Sequence, residues 1–324
     1  MVRVALLGAG RWGPNLLRTL VAQPACEVTW VADVDARRAQ AVSLLCPSAR
    51  FASDPDAVLS APDVDAVVVA TPSATHAPLA RRALEAGKHV LVEKPVATRL
   101  ADALALDELA HRRGLTLMVG HVYLFHPAVQ AVKDELASGR LGDVRALRFE
   151  RTNLGPVRED VDAAWDLAAH DLSIAREWLG EVPVALSAQG AQVLRAGRAD
   201  SVAATLRYAS GRVAQLFVSW LEPTKTRRAT VVGSGGMLRF EEAGGAATVL
   251  RFERGVDAGV VREGPEVSVP FEPAEPLTRE VEHFLGCVRT GVRPRSDGAR
   301  AADVVRVLEA MSRSMAAGGA ETTV

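Results

Sequence analysis

Three short stretches of the chain carry residue types that do chemistry together. The first is Gly8-Ala9-Gly10-Arg11-Trp12-Gly13, which fits G-x-G-x-x-G. It follows an apolar run, Val2–Leu7, and precedes Leu16, Leu17, Leu20 and Val21 at helical spacing. A glycine loop in that context turns tightly, lets backbone approach a pyrophosphate and aims a helix N-terminus at it. Pro14 falls in the first helical turn, where a missing N–H costs little. Asp33 stands 20 residues beyond Gly13, at the end of a second apolar run, Val28–Ala32. A carboxylate there accepts from both ribose hydroxyls of NAD and repels the 2′-phosphate of NADP. Arg37 and Arg38 follow and pull toward NADP; the balance is read as NAD. Trp12 either covers the pyrophosphate or packs in the core.

The second stretch is Val90-Leu91-Val92-Glu93-Lys94-Pro95, which sets a charged pair at the end of a strand. Ligands of open α/β sheets bind at that edge. A lysine there can hydrogen-bond a substrate hydroxyl and favour its alkoxide-like transition state; the plainer reading is a surface Glu-Lys pair. The third stretch holds Asp166 and His170, four residues apart and so on one helix face. A histidine titrates in the range useful for moving a hydroxyl proton, and a carboxylate one turn away orients the substrate or tunes the ring. The plainer reading is an ordinary polar pair on an exposed helix stripe.

These groups need elements to hold them. Strands at Val2–Leu7, Val28–Ala32, Val64–Ala70, His89–Val92 and Leu115–Val119 alternate with helical patterns, including Ala36–Leu45 and the stretches ending at Gly87 and Gly114. That order predicts a doubly wound parallel sheet over residues 1–120, a Rossmann NAD(P)-binding domain. Residues 121–324 read differently. A helix around Val129, Val132 and Leu136 precedes a strand at Val144–Thr152 and a helix at Trp165–Leu179. Successive strands with short turns then run from Val184 to Glu253, which predicts antiparallel pairs. Both faces of the Val213–Leu221 strand carry apolar residues, so one face is expected to pack on helices and the other on a second subunit. Late helices fall around Leu277–Val288 and Val304–Met311, and the tail Ala316–Val324 is expected to fray.

The motifs together resemble the glucose–fructose oxidoreductase/inositol dehydrogenase/MocA (Gfo/Idh/MocA) family. The resemblance rests on the glycine loop, on Ala70-Thr71-Pro72-Ser73-Ala74-Thr75-His76, on Ala86-Gly87-Lys88-His89-Val90-Leu91-Val92-Glu93-Lys94-Pro95, and on Trp165-Asp166-Leu167-Ala168-Ala169-His170-Asp171. It covers nearly the whole chain. It implies a Rossmann domain followed by an α/β domain with a large open, mostly antiparallel sheet, and NAD(P)-dependent oxidation or reduction of a sugar or cyclitol alcohol. It makes Lys94 the active-site lysine and His170 the acid/base histidine, with Asp166 beside it. It places Gly8, Gly10, Arg11, Trp12, Gly13, Asp33, Thr71, Pro72, His76, Glu93 and Lys94 around the cofactor. His76 is structural or close to that cofactor. Where the family often has Gly-Gly before the Asp, this chain reads Val161-Asp162-Ala163-Ala164-Trp165, which bears on the pocket floor.

Phrases such as Gly120-His121-Val122-Tyr123-Leu124-Phe125-His126-Pro127 and Arg151-Thr152-Asn153-Leu154-Gly155-Pro156-Val157-Arg158 look like the sugar-nucleotide dehydrogenase branch. Members of that branch act on nucleotide-linked hexoses, often at C3. Substrate contact is then expected from Lys94, Tyr123, Arg158, Asp166 and His170. Arg148, Arg151 and Arg158 either meet a diphosphate or are solvated charges. His121 and His126 either line the pocket or are satisfied, partly buried histidines. Two alternatives stay open: an inositol or free-sugar dehydrogenase, and a dinucleotide-sensing regulator on the same fold. The regulator would have no need of Lys94 and His170 together.

Composition narrows the classes. The 324 residues suggest about two domains and need no staples. With 38 Lys+Arg against 39 Asp+Glu there is no basic field for nucleic acid. No run of 18 apolar residues suggests a membrane helix, and the first strand ends in glycines rather than a signal-peptide cleavage site. Three widely spaced cysteines give neither a disulfide framework nor a zinc pattern, so a cytoplasmic home and no metal are expected. A small sugar or sugar nucleotide is the expected partner, with the chain assembled as a homodimer or homotetramer.

Overall fold

The computed structural model describes residues 1–257 and 259–324. The chain divides into two compact units, Met1–Val122 with Glu275–Val305, and Tyr123–Ala274 with Arg306–Val324. The sequence places one junction near Gly120; in the structure residues 275–305, expected in the second domain, fold with the first unit.

In the first unit, β1 (Val2–Leu7), α1 (Gly13–Val21), β2 (Cys26–Ala32), α2 (Ala39–Leu45), β3 (Arg50–Ala52), α3 (Pro55–Leu59), β4 (Ala66–Val69), α4 (Ser73–Glu85), β5 (His89–Glu93), α5 (Leu100–Arg113) and β6 (Leu117–Gly120) follow one another. The six strands form a parallel sheet in the order β3-β2-β1-β4-β5-β6. All four residues of β4 are fully buried, as a strand covered on both faces requires. The order reverses between β1 and β4, and ligands of such sheets bind at the carboxyl ends of the strands there. The short β3 and α3 carry little periodicity and escape a reading by pattern.

The second unit begins with α6 (Pro127–Ala137), β7 (Val144–Thr152), a π-helical turn at Ala164–Ala168 and α7 (Ala169–Leu179). Then come β8 (Ala185–Ala191), β9 (Ser201–Arg207), β10 (Val213–Ser219), β11 (Thr226–Gly233), β12 (Met237–Ala243) and β13 (Ala246–Phe252). A two-stranded ribbon, β14 (Gly255–Asp257) and β15 (Val260–Arg262), and β16 (Glu266–Ser268) follow. The chain closes with α8 (Pro276–Thr290) and α9 (Gly298–Ala316), and β17 (Thr322–Thr323). Nine strands make one sheet, β16-β13-β12-β11-β7-β10-β9-β8-β17. Its pairs are antiparallel except β7 with β10, which run parallel.

Leu147 and Phe149 of β7, Leu216 and Val218 of β10 and Phe240 of β12 are buried on one face, which α6 and α7 help to cover. Burying side chains of this size stabilises by roughly 1.5–3 kcal/mol each. Trp178 of α7 stacks on Phe149 at 5.9 Å and donates Nε1–H to the Val129 carbonyl of α6. The other face carries Arg148, Glu150, Gln215, Arg228, Arg239 and Glu241, together with Val213 and Phe217 of β10, Val232 of β11, Met237 of β12 and Leu250 and Phe252 of β13. Apolar side chains therefore stand on both faces of β10, as its alternation predicts. The tail differs from expectation. Thr322–Thr323 pairs with β8, and Ser314 Oγ accepts from the Ala188 N–H and donates to the Ala320 carbonyl, so the chain end is held rather than frayed. Among the described residues no helix is long and apolar enough to cross a membrane.

Candidate active site

The glycine loop sits at the switch point of the parallel sheet. Gly8 has φ +97°, and a Cβ there would lie 2.7 Å from the carbonyl of Ala70, at the end of β4. A Cβ on Gly13 would run into the Gly8 carbonyl oxygen. These contacts explain two glycines by close backbone approach. Gly10 is different: a Cβ there would meet nothing within 4 Å, so the backbone is bare toward open space. The first turn of α1 holds no acidic side chain. A bare glycine before a helix N-terminus fits a dinucleotide pyrophosphate.

Asp33 faces the same loop. Its Oδ2 accepts from the Ala9 N–H at 2.7 Å and its Oδ1 from the Asp35 N–H at 2.9 Å. Each carboxylate oxygen has a second lone pair, so ribose hydroxyls can still be accepted. Arg37 and Arg38 both approach Asp35, at 2.7 and 3.7 Å. The Arg37 side chain bonded to it holds the Asp35 carboxyl below its ordinary range.

Trp12 is 40% exposed and donates Nε1–H to Glu93 Oε1 at 2.8 Å, so it is not a core residue. The Glu93 carboxylate lies over Gly120, where a Cβ would come within 3.0 Å of it. Lys94 follows at the end of β5, half-buried, with a cis peptide to Pro95. Thr71 and Pro72 lead into α4, and the Thr75 hydroxyl bonds to the Pro72 carbonyl at 2.7 Å. His76 is buried at 2% exposure, its ring nitrogens 2.7 and 2.8 Å from the carbonyls of Thr71 and Pro95. It therefore ties the loop after β4 to the loop after β5. His121 is also buried; burial and then the Lys94 charge push its pKa down to about 3, so it stays neutral. Glu280 of α8 is fully buried, and neither carboxyl oxygen has a hydrogen-bond partner among the described residues. Burial, with the Glu93 charge, holds it well above the ordinary carboxyl range.

In the second unit, Asp166 lies in the π-helical turn and His170 in the first turn of α7. The sequence predicts one regular helix here; such one-turn widenings are frequent at functional sites. Asp162 Oδ1 caps the turn by accepting from the Trp165 N–H at 3.0 Å. Asp166 Oδ2 accepts from Trp220 Nε1 at 3.2 Å, and its Oδ1 lies 3.7 Å from the Arg158 guanidinium. Arg158 also pairs with Asp160 at 2.9 Å.

His170 meets Tyr123 edge-on, with ring centroids 5.1 Å apart. Tyr123 was expected to touch substrate, but it is 7% exposed and its hydroxyl donates to Glu242 Oε2 at 3.2 Å. The Arg151 guanidinium lies 4.3 Å from the Tyr123 ring centre and that of Arg227 5.6 Å from it. Arg151 is no solvated charge: it is 4% exposed and bonds both Asp171 oxygens, the shortest contact being 2.7 Å. Burial opposes its charge, but Asp171 and Tyr123 outweigh that and hold the guanidinium above its ordinary value. Burial raises the Asp171 carboxyl, against the pull of Arg151. Burial also pushes the Tyr123 phenol up, so it stays a donor. His126 caps α6 by accepting from the Ala128 N–H at 3.1 Å and stacks on Tyr123. Arg148 is exposed and reaches Gln215.

Asp171, Arg227, Glu242 and Trp220 escape the sequence reading. Strand register is what assembles them: Arg227 pairs with Arg151 on one side and with Glu242 on the other. No spacing in the chain signals that row. Among the described residues no group of three or more His, Cys, Asp and Glu side chains could hold a metal ion.

Comparison with known proteins agrees with this architecture. Residues 2–121 match the family model described as oxidoreductase family, NAD-binding Rossmann fold, and residues 129–239 match the GFO/IDH/MocA C-terminal domain. The chain is 30% identical over 318 residues to 4-carboxy-2-hydroxymuconate-6-semialdehyde dehydrogenase of Sphingobium sp., covering 95% of this chain and 96% of that one. It is 36% identical over 257 residues to dTDP-3,4-didehydro-2,6-dideoxy-alpha-D-glucose 3-reductase of Streptomyces violaceoruber, covering 74% and 73%. The crystal structure of GenD2 from gentamicin A biosynthesis in complex with NAD superposes with a TM-score of 0.86 at 27% identity, over 100% of this chain and 96% of that one. A six-stranded parallel sheet with a glycine loop at its switch point, followed by the family's C-terminal domain, makes this protein an oxidoreductase of the Gfo/Idh/MocA family.

Proposed function

We propose that the protein transfers a hydride between nicotinamide and a secondary alcohol or ketone of a sugar. A nucleotide-linked hexose reacting at C3 is the favoured substrate, and NAD is preferred to NADP. The observation that carries the reading is the position of Lys94. It directly follows Glu93, whose carboxylate is bonded to Trp12 of the glycine loop, so the lysine belongs to the strand edge where the dinucleotide loop opens. The likeness to a reductase of a dTDP-linked sugar supports the substrate class. The likeness to a semialdehyde dehydrogenase shows why substrate must be tested and not inherited from the family.

The backbone N–H groups of the glycine loop would hold the pyrophosphate and Asp33 the ribose hydroxyls. When bound, nicotinamide supplies the hydride acceptor for oxidation or the donor for reduction. Lys94 donates a hydrogen bond to the reacting oxygen and stabilises its alkoxide character. His170 takes the hydroxyl proton on oxidation and returns it on reduction. Asp166, held by Trp220 and Arg158, positions a neighbouring hydroxyl. Arg158, paired with Asp160 and Asp166, is the cation this reading assigns to a diphosphate. Tyr123, with its hydroxyl already held by Glu242, leaves the set of substrate contacts.

A panel of nucleotide hexoses, inositols and free hexoses, each with NAD and NADP, tests this by the absorbance of reduced nicotinamide. Turnover of a nucleotide hexose with NAD is expected. Turnover of inositols or free sugars alone would overturn the substrate class. Tighter binding of NADP would overturn the cofactor preference and give Arg37 or Arg38 the 2′-phosphate.

A further inference from the structure

We propose that Tyr123 is a positioning residue for His170, locking the imidazole through a ring that four other groups hold in place. The inference rests on the reading of His170 as the proton-transferring group. Tyr123 is buried, and every side of its ring has a partner. Arg151 lies 4.3 Å from the ring centre and Arg227 5.6 Å from it. His126 stacks on it nearly parallel at 6.1 Å. Glu242 accepts from the hydroxyl, and Arg227 pairs with Glu242 in turn. His170 then meets the ring at 5.1 Å with planes 65° apart, the edge-on geometry that aromatic pairs favour.

The same arginine holds His170 by a second route. Arg151 bonds Asp171, the next residue in α7, through three contacts of 2.7–3.2 Å. One guanidinium therefore fixes the Tyr123 ring and the helix turn that carries His170. A desolvated guanidinium over an aromatic face is attracted by the ring quadrupole, which favours one ring orientation. A group that moves a proton at a defined atom gains from this, because a misplacement of about 1 Å can cost about 100-fold in rate.

The charged and titratable groups around His170 and Tyr123 include Arg151 of β7, Arg227 of β11, Glu242 of β12, Asp171 and Asp166 on its own helix, and His126 at the start of α6. Removing the Tyr123 ring changes how the imidazole faces these charges while leaving the charges in place. A titration of His170 therefore reads the positioning directly and needs no substrate.

The experiment uses the full chain with 13C-labelled histidine, the His170 signal being assigned by its loss in His170→Ala. Tyr123→Phe keeps the ring and should keep both the His170 resonance and its titration midpoint. Tyr123→Leu should move the resonance and shift the midpoint by at least about half a pH unit. NAD affinity should stay within about twofold in both variants, since neither touches the glycine loop. An unchanged His170 signal in Tyr123→Leu overturns the proposal. So does a Tyr123→Phe signal that moves as far as that of Tyr123→Leu, because the ring would then not be what acts. Failure of the underlying reading looks different: His170→Ala would keep its turnover on the substrate found by the panel, whatever the resonances do.

Discussion

The glycine-loop edge of the first unit and the Tyr123 cluster of the second are built on opposite plans. The first is mostly backbone. Gly8 and Gly13 allow close approach, Gly10 leaves open space where a side chain would stand, and Asp33 ties the loop by accepting from Ala9. Its residues come from the turns that follow consecutive strands of one parallel sheet. The second is almost all side chain. Arg151, Arg227 and Glu242 come from three strands, Asp171 and His170 from a helix, and Tyr123 and His126 from the turn before α6. A dinucleotide presents the same phosphates to every protein that holds it, and backbone suffices for them. A reacting hydroxyl must be met by one imidazole at one angle, and that takes packed, charged side chains from several elements.

The largest effect should come from the two groups proposed to act on the reacting oxygen. His170→Ala is expected to lower turnover by about 10²–10⁴-fold, the usual worth of general acid–base help. Lys94→Ala should cost a similar order through lost stabilisation of the oxygen. Both should leave NAD affinity unchanged by fluorescence titration. If both variants turned over normally, the hydride-transfer chemistry would lie elsewhere, and the contrast between the two plans would have no catalytic meaning.

Next in size is the ion pair beneath Tyr123. Asp171→Asn leaves the Arg151 charge buried without its counter-charge and should destabilise the protein by about 3–5 kcal/mol. Denaturant or thermal unfolding reads this. A loss under 1 kcal/mol would mean that the pair is solvated and that the second site is not the packed cluster described above.

The backbone plan makes a smaller, more selective prediction. Asp33→Ala should raise the dissociation constant for NAD by about tenfold and narrow its advantage over NADP, since it removes ribose contacts and the repulsion of a 2′-phosphate together. Equal weakening of both cofactors would show that Asp33 matters only for tying the loop through Ala9.

The smallest effects concern buried titratable groups near Glu93, and their signs differ. Glu280 has a folded pKa raised above its ordinary 4.5. As pH rises past that value the unfolded chain releases its proton first, so the group costs stability at neutral and higher pH. Glu280→Gln should therefore raise the melting temperature at pH 8 and change little at pH 4. His121 has its folded pKa depressed from 6.5 to about 3. Between those values the unfolded chain binds the extra proton, so stability falls as pH drops through that window, and His121→Asn should flatten the slope. A melting profile for Glu280→Gln that parallels the wild type at every pH would show that Glu280 ionises as it does in water.

Most of the parallel sheet and its glycine loop can be read from local signals. Val2–Leu7, the glycine spacing and Asp33 are local signals, because strand, turn and helix N-terminus are made by residues close together in the chain. Lys94 and His170 stand out from their local motifs as candidate groups. What the tertiary structure decided is their surroundings. It turned Tyr123 from an expected substrate contact into a buried ring on Glu242, and Arg151 from a candidate diphosphate ligand into the partner of Asp171. It put Trp12 on Glu93, and it returned residues 275–305 to the first unit. Such contacts depend on strand register and on which face a helix covers. Both are fixed by summing many small burial terms over the whole fold, and no spacing within a single segment records them.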